Sequence, residues 1–284
     1  MLPTLGSLAV FRYAPVLSAA WHSFFAWDGF TPGKFVGLAN FRELFSDPVM
    51  GGASLNIMQY IAIRVALNLA FPLLAAELIF HLGRGNAAYK TLFTIPLVVP
   101  LMVVLLVWKF IYNPHDGILD RLLGVVGLGS MARDWLGGFG TALYAISALG
   151  FPWVTGIGIA GFGMLLYLAG LQAIPAELFD ASAVDGVPGG RRLLLVELPL
   201  IARQLWLVAL LTVINTLQSF VPVMVLTMGG PGTATMVPGL YLYQNAFSYD
   251  RFGYACAIGL VMAALLALLA WVYTRNGGIA EGIA

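Results

Sequence analysis

Apolar residues in this chain come in long unbroken runs rather than in stripes. Runs of roughly 20 residues, the length a helix needs to cross a bilayer, predict six spans, near 3–26, 57–81, 91–113, 140–172, 200–228 and 252–275. Barrel strands would alternate apolar and polar residues over about ten positions. These runs are continuous, so the pattern predicts an all-α membrane protein with six transmembrane helices. The first span carries Arg12, and its alternative reading is a signal peptide; such a peptide would place its basic residues ahead of the apolar stretch, whereas Met1 to Val10 carries no charge. The fourth span is about ten residues longer than a straight crossing needs and holds Pro152, which predicts a bent or tilted helix. Pro96 and Pro100 interrupt the third span and Pro222 the fifth, and together they suggest broken helices around a path.

Composition sharpens this picture. Of the 284 residues 60% are hydrophobic and only 10% charged, with a mean hydropathy of +0.90, too little charge to cover a water-facing surface of this size. The net charge of +1 argues neither for nucleic acid nor for a cationic partner. Cys256 is the single cysteine, so no internal disulfide forms and its plainest role is that of a small buried residue. Arg64 and Glu77 lie inside the second span, where a central charge costs about 2.5–3.5 kcal/mol. Each is near one end, so snorkelling or pairing within the bundle is expected ahead of a proton relay. The histidines, His115 among them, sit in loops or at helix ends without ligand spacing, and no metal site is expected.

No internal repeat, low-complexity tract or soluble domain interrupts the chain, which reads as one transmembrane domain over 1–284. Its longest polar connections are 27–56, 114–139 and 229–251. With both termini in the cytoplasm, Arg84, Lys90, Arg191, Arg192, Arg203 and Arg275 lie inside, against Lys34, Arg42, Arg121, Arg133 and Arg251 outside. The tightest basic pair, Arg191 and Arg192, favours this orientation, which places the three long connections on the outer face.

The segment 175–199, between the fourth and fifth spans, has its own local logic. Pro175 suits the first turn of a helix, and Glu177 is favourable near the positive helix end. The helix should close at Asp185-Gly186, where glycine takes the left-handed conformation, and Pro188 can open a second one. Ala181, Ser182 and Ala183 are small enough to let another surface approach the backbone, with Asp180 and Asp185 beside them. This fits a docking knob; an amphipathic loop lying on the membrane surface fits the same composition.

The segment resembles the EAA loop of the permeases of binding-protein-dependent ABC importers. The motif reads Asp180-Ala181-Ser182-Ala183-Val184-Asp185-Gly186 and ends in Val196-Glu197-Leu198-Pro199. Asp180 replaces the usual Glu, Ser182 the second Ala and Val196 the Ile, and Gly189-Gly190 stands where bulkier residues are common. Similarity to sugar permeases of the maltose-transporter type continues on both sides, in Tyr13-Ala-Pro-Val-Leu-Ser, Phe35-Val-Gly-Leu-Ala-Asn-Phe, Ile95-Pro-Leu-Val-Val-Pro, Ala169-Gly-Leu-Gln-Ala-Ile-Pro, Leu226-Thr-Met-Gly-Gly-Pro and Phe252-Gly-Tyr-Ala. The short first helix departs from a family that often carries a longer amino-terminal stretch.

The resemblance implies that 175–199 carries a cytoplasmic coupling helix seated in a groove of an ATPase. Glu177, Asp180, Ala181, Ser182, Asp185 and Gly186 would form it, with Arg191 and Arg192 serving orientation and solvation. No phosphate-cradling G-x-x-x-x-G-K-[ST] occurs in the chain, so no cofactor is expected on it; ATP and magnesium belong to separate ATPase subunits, and the chain itself is not expected to be an enzyme. The implied partners are two ATPase copies, a second related permease, an extracytoplasmic solute-binding protein and membrane lipid, in a bacterial or archaeal cytoplasmic membrane. Thr212, Asn215, Thr216 and Ser219 recur at i, i+3, i+4 and i+7 in the fifth span with Gln218 beside them. They either face a substrate cavity, as the resemblance favours, or join neighbouring helices; Trp153 and Tyr167 either stack on sugar rings or pack in the core. The expected cargo is a sugar or oligosaccharide. Glycerol phosphate or a polyamine is the alternative within the class, and a secondary transporter, which would show inverted repeats, the alternative outside it.

Overall fold

Prolines and glycines decide where the apolar runs start, bend and stop. The computed structural model describes residues 2–82, 86–150 and 160–277, and these are mostly helical. Helices of eight residues or more are α1 (Ala14–His22), α2 (Ala39–Ser46), α3 (Pro48–His81), α4 (Asn86–Thr94), α5 (Leu101–Ile111), α6 (Ile118–Val125), α7 (Ala160–Gln172), α8 (Ala176–Val184), α9 (Ala202–Gln218), α10 (Pro238–Phe247) and α11 (Phe252–Gly277). A short antiparallel ribbon pairs β1 (Phe25–Ala26) with β2 (Lys34–Phe35).

The region 91–113 is divided where Pro96 and Pro100 withdraw backbone donors. There α4 gives way to a tight turn, Ile95–Val98, before α5 begins after Pro100. The region 200–228 breaks after Gln218, ahead of Val221–Leu226 with Pro222 in its first turn. Pro152 lies outside the described residues. Two wide π turns have a related cause. Ala9–Tyr13 and Leu193–Glu197 each stop two residues before a proline, Pro15 and Pro199, and close through Ala14 N–H to the Ala9 carbonyl and Leu198 N–H to the Leu193 carbonyl. A regular turn would drive the proline ring onto the carbonyl four residues back, and widening relieves that clash.

The second helix starts well before the apolar run. The expected span begins near 57, yet α3 begins at Pro48. Asp47 sets that start: its Oδ1 accepts the N–H of Val49 at 2.8 Å and of Met50 at 3.4 Å, while Pro48 has no N–H to satisfy.

Contacts divide the chain into two compact units, 1–59 with 136–143 and 218–272, and 60–135 with 144–217 and 273–284. In the first, Leu44, Met50, Tyr254 and Ile258 form a buried cluster. Beside it, Asp47 Oδ2 accepts the hydroxyls of Tyr241 at 2.6 Å and Tyr254 at 2.9 Å. Arg251 grips both carboxylate oxygens of Glu43, at 2.6 and 2.7 Å. The Asn56 amide donates to the carbonyls of Thr233 and Met236 at 3.0 and 2.9 Å, which fastens the loop ahead of α10 to α3.

In the second unit, Ala76, Ile79, Met164, Tyr167, Leu168, Leu171, Ile201 and Val208 form the core, joining α3, α7 and the start of α9. Helices solvated by hydrocarbon gain little by hiding apolar surface from each other, so their contact depends on close packing through small residues. Gly163 and Gly170 supply it on α7. A Cβ at Gly163 would stand 3.4 Å from Val208 and 3.6 Å from Pro72, and one at Gly170 would stand 3.0 Å from the Gln204 amide.

Among the described residues, Pro48–His81 and Phe252–Arg275 are long and apolar enough to cross a membrane, with 33% and 17% of their most apolar stretches buried. Apolar helices this uncovered need an apolar surrounding, lipid or a second protein.

The Asp47 cap has a pH signature. Burial pushes its carboxyl up, but the two tyrosine hydroxyls and two backbone N–H groups outweigh this and hold it below 3.8. The stabilisation it confers is therefore present above pH 3.8 and is lost as the pH falls through the lower folded value. We expect Asp47→Ala to destabilise the first unit by about 1–2 kcal/mol and to flatten the acid limb of its stability, read as melting temperature against pH in detergent. An unchanged acid limb contradicts the assignment.

Candidate functional site

Segment 175–199 forms a bracket between α7 and α9, and its corners fall where the local chemistry puts them. Helix α8 follows a 72° bend after α7, and the helical stretch Gly189–Leu200 meets α9 at 74°. Pro175 and Pro188 each stand one residue outside a helix, with extended backbone, so the helices open at Ala176 and Gly189. Expectation placed both prolines inside the first turn; the difference is a single residue.

The far end of α8 closes with a double bond pattern. Gly186, at φ +67°, lets its own N–H reach the Ala183 carbonyl at 3.1 Å and the Val187 N–H reach the Ser182 carbonyl at 3.0 Å. This is the Schellman closure, which requires the left-handed conformation that glycine adopts without penalty.

The exposed side of α8 presents Glu177, Leu178, Asp180, Ala181, Ala183, Val184 and Asp185; Val184 is 88% exposed. Three carboxylates thus surround small and apolar side chains. Ser182 departs from expectation. It is buried and its hydroxyl donates to the Phe179 carbonyl at 2.7 Å, so it belongs to the inner side of α8 and not to the outward face with Ala181 and Ala183.

Behind α8 lies a charged cluster that the sequence did not bring together. Glu197, fully buried, accepts from Arg192 Nε at 2.8 Å. A second guanidinium nitrogen of Arg192 lies 3.1 Å from His81 Nε2, which is also 2.8 Å from Glu77 Oε1. One ring nitrogen carries either a proton or a lone pair, so His81 donates to Glu77 or accepts from Arg192, not both. The Arg192 guanidinium also lies 5.3 Å from the centre of the Phe179 ring, and that ring is 5.6 Å from Phe80. Arg192 is therefore not the solvated orientation signal expected from the sequence; the exposed Arg191 beside it is free to be one. Donor atoms of Glu77, His81 and Glu197 lie within 4.8 Å of one another, close enough for a metal ion, a grouping that histidine spacing along the chain could not reveal. Here the guanidinium supplies the cation and contacts two of the three residues.

The polar stripe of the fifth span separates into two sets. Thr212 and Thr216 are buried, and Asn68 Nδ2 on α3 lies 3.5 Å from Thr212 Oγ1, a long contact of the helix-joining kind. Asn215 and Gln218 are exposed, the former turned back onto the Leu211 carbonyl at 2.8 Å. Ser219 follows the last residue of α9, so the helical register ends before it. Tyr167 is wholly buried in the second unit's core, which makes it a packing residue and not an open platform. Trp153 lies outside the described residues. Arg64 is buried on α3 and donates to the Leu149 carbonyl at 3.3 Å, so it pairs within the bundle and does not snorkel.

Residues 68–276 match the model of a family described as the binding-protein-dependent transport system inner membrane component. The chain is 31% identical to the "Probable ABC transporter permease protein YurN" of Bacillus subtilis, over 98% of this chain and 95% of that one. It is 30% identical to the trehalose/maltose transport system permease protein MalF of Thermococcus litoralis, over 98% and 92%. It is also 30% identical to the diacetylchitobiose uptake system permease protein NgcF of Streptomyces coelicolor, over 98% and 82%. In fold it resembles a chain of a bacterial ABC transporter involved in the import of the acidic polysaccharide alginate, with a TM-score of 0.81 at 19% identity, over 100% and 94%.

A Cβ at Gly186 would meet nothing within 4 Å, so Gly186→Ala isolates the backbone term. Forcing an L-residue into the left-handed region costs about 1–2 kcal/mol. We expect the Val187 amide to exchange with solvent about five- to thirty-fold faster in Gly186→Ala, and less so in Gly186→Asn. Equal exchange in native and Ala forms contradicts the closure.

Proposed function

The chain belongs to the family of binding-protein-dependent transport system inner membrane components, and we propose that it is the permease subunit of an ATP-driven importer for a sugar or oligosaccharide. The observation that carries this reading is the bracket 175–199, in which α8 exposes carboxylates, small side chains and Val184 in one short helix held between two sharp bends. In this reading α8 is the coupling helix of a six-helix permease whose termini face the cytoplasm. Glu177, Asp180 and Asp185 are polar anchors in a groove of a separate ATPase, Ala181 permits close approach, and Gly186 sets the turn. Ser182 supports the helix from inside.

Six crossings follow if each broken apolar run counts once: 3–26, 57–81, 91–113, 140–172, 200–228 and 252–275. The partners are a second permease, two ATPase subunits that hold ATP and magnesium, and a solute-binding protein at the outer face. An uncharged sugar is supported in two ways. Relatives are named for trehalose/maltose and diacetylchitobiose, and the 212–219 region of this chain holds no basic residue that would attract a phosphate. Asn215, Gln218 and Ser219 are the path residues; Thr212 and Thr216 join helices.

ATP hydrolysis by the co-purified complex in lipid tests the reading. A binding protein loaded with its sugar should stimulate it. Each buried charge-assisted hydrogen bond between α8 and the ATPase is worth about 1.5–3 kcal/mol, so Asp180→Ala should weaken ATPase association about ten- to hundred-fold, read as subunit retention during dilution. If no ATPase co-purifies under any condition, the importer reading fails.

A further inference from the structure

Glu197 occupies the one position in Val196-Glu197-Leu198-Pro199 where the loop pattern asks for no particular residue, and Glu77 interrupts an otherwise apolar run from Leu73 to Phe80. Neither carboxylate has a reason to be there in the helix's own chemistry. The Glu197 side chain is 0% exposed and that of Glu77 18%, and the two carboxyl groups share a hydrogen bond, which needs a proton on one of them. The remaining buried charge is tolerated where a partner cation is held in place, and removing that cation leaves it uncompensated. Arg192, bound to Glu197, is that cation.

Its position is specific. Through Nε it holds Glu197 at the end of the bracket, through its outer nitrogen it reaches His81 at the last turn of α3, and its flat face lies 5.3 Å from the Phe179 ring on α8. One guanidinium thus joins its own helical stretch to α3 and α8, and its planar fork is the geometry that two acceptors at once require. We propose that Arg192 is a positioning residue that ties α8, through Phe179, to the end of α3, through His81, with Glu197 fixing the guanidinium between them. Movement of α8 then displaces the second span and is not absorbed by slack in the loop. This rests on the coupling role proposed for α8.

The test compares Arg192→Gln with Arg191→Gln, an exposed neighbour of equal charge, in the full complex. Amide exchange of 176–184 should rise about tenfold in Arg192→Gln, the size expected on losing charge-assisted bonds, stay unchanged in Arg191→Gln, and return partway in Arg192→Lys, which keeps the charge but loses the fork. Sugar moved per ATP hydrolysed should fall in Arg192→Gln. Adding Glu77→Gln should lower it little further, because both substitutions break one network. If Arg192→Gln does not assemble, His81→Gln removes only the half-exposed partner and carries the same comparison with a smaller rise. Unchanged exchange, an equal rise in Arg191→Gln, or an unchanged transport-to-ATP ratio overturns the proposal. If the exchange effect appears but the native complex shows no sugar-stimulated hydrolysis, the importer reading fails and the lock stands.

Discussion

A backbone amide in hydrocarbon has no water to turn to, so each must find its partner within the protein. The helix breaks among the described residues are arranged around that requirement. Where a proline removes a donor, the helix breaks in a tight turn as at Pro96 and Pro100, widens into a π turn as before Pro15 and Pro199, or is held by close packing as at Pro72 against Gly163. The bracket 175–199 follows the same rule. Its two bends fall at breaks whose freed groups are taken up locally, and its one tight reversal uses the left-handed glycine that satisfies two carbonyls at once.

Several buried polar side chains follow the complementary rule, each placed where another polar group answers it. Arg64 meets the Leu149 carbonyl, Asn68 approaches Thr212, and Glu77, His81, Arg192 and Glu197 assemble behind α8. The first two knit the second unit together. The last also touches the outward-facing helix, through Phe179. In the coupling role proposed for it, α8 turns a carboxylate-rich face outward and meets the charged cluster through Phe179 on its inner side.

Signals that act over a few residues were legible in the sequence. Pro175, Asp185-Gly186 and Pro188 placed both helices of the bracket to within a residue, and the proline pair marked the break in the third apolar run. The start of α3 was equally local, since Asp47-Pro48 is a cap followed by a proline, but counting apolar residues passes over it. What was not legible depends on contacts between residues far apart. Which side of α8 faces inward decides the fate of Ser182. The approach of α7 to α3 and α9 buries Tyr167, and the pairing of His81 with Arg192 and Glu197 needs the fold itself. The stripe from Thr212 to Ser219 assumed an unbroken helix, and α9 ends at Gln218.

In the proposed importer, α8 is the surface that an ATPase grips. Val184 on α8 is 88% exposed and Val125 on α6 is 85% exposed, and the proposed orientation puts them on opposite sides of the membrane, so the pair compares side at equal accessibility. The direct measurement places a single cysteine at each, in a Cys256→Ala background, and cross-links in membranes that contain the co-expressed ATPase. We expect a cross-link from Val184→Cys to the ATPase and none from Val125→Cys. A cross-link from Val125→Cys, or none from Val184→Cys in any nucleotide state, contradicts it.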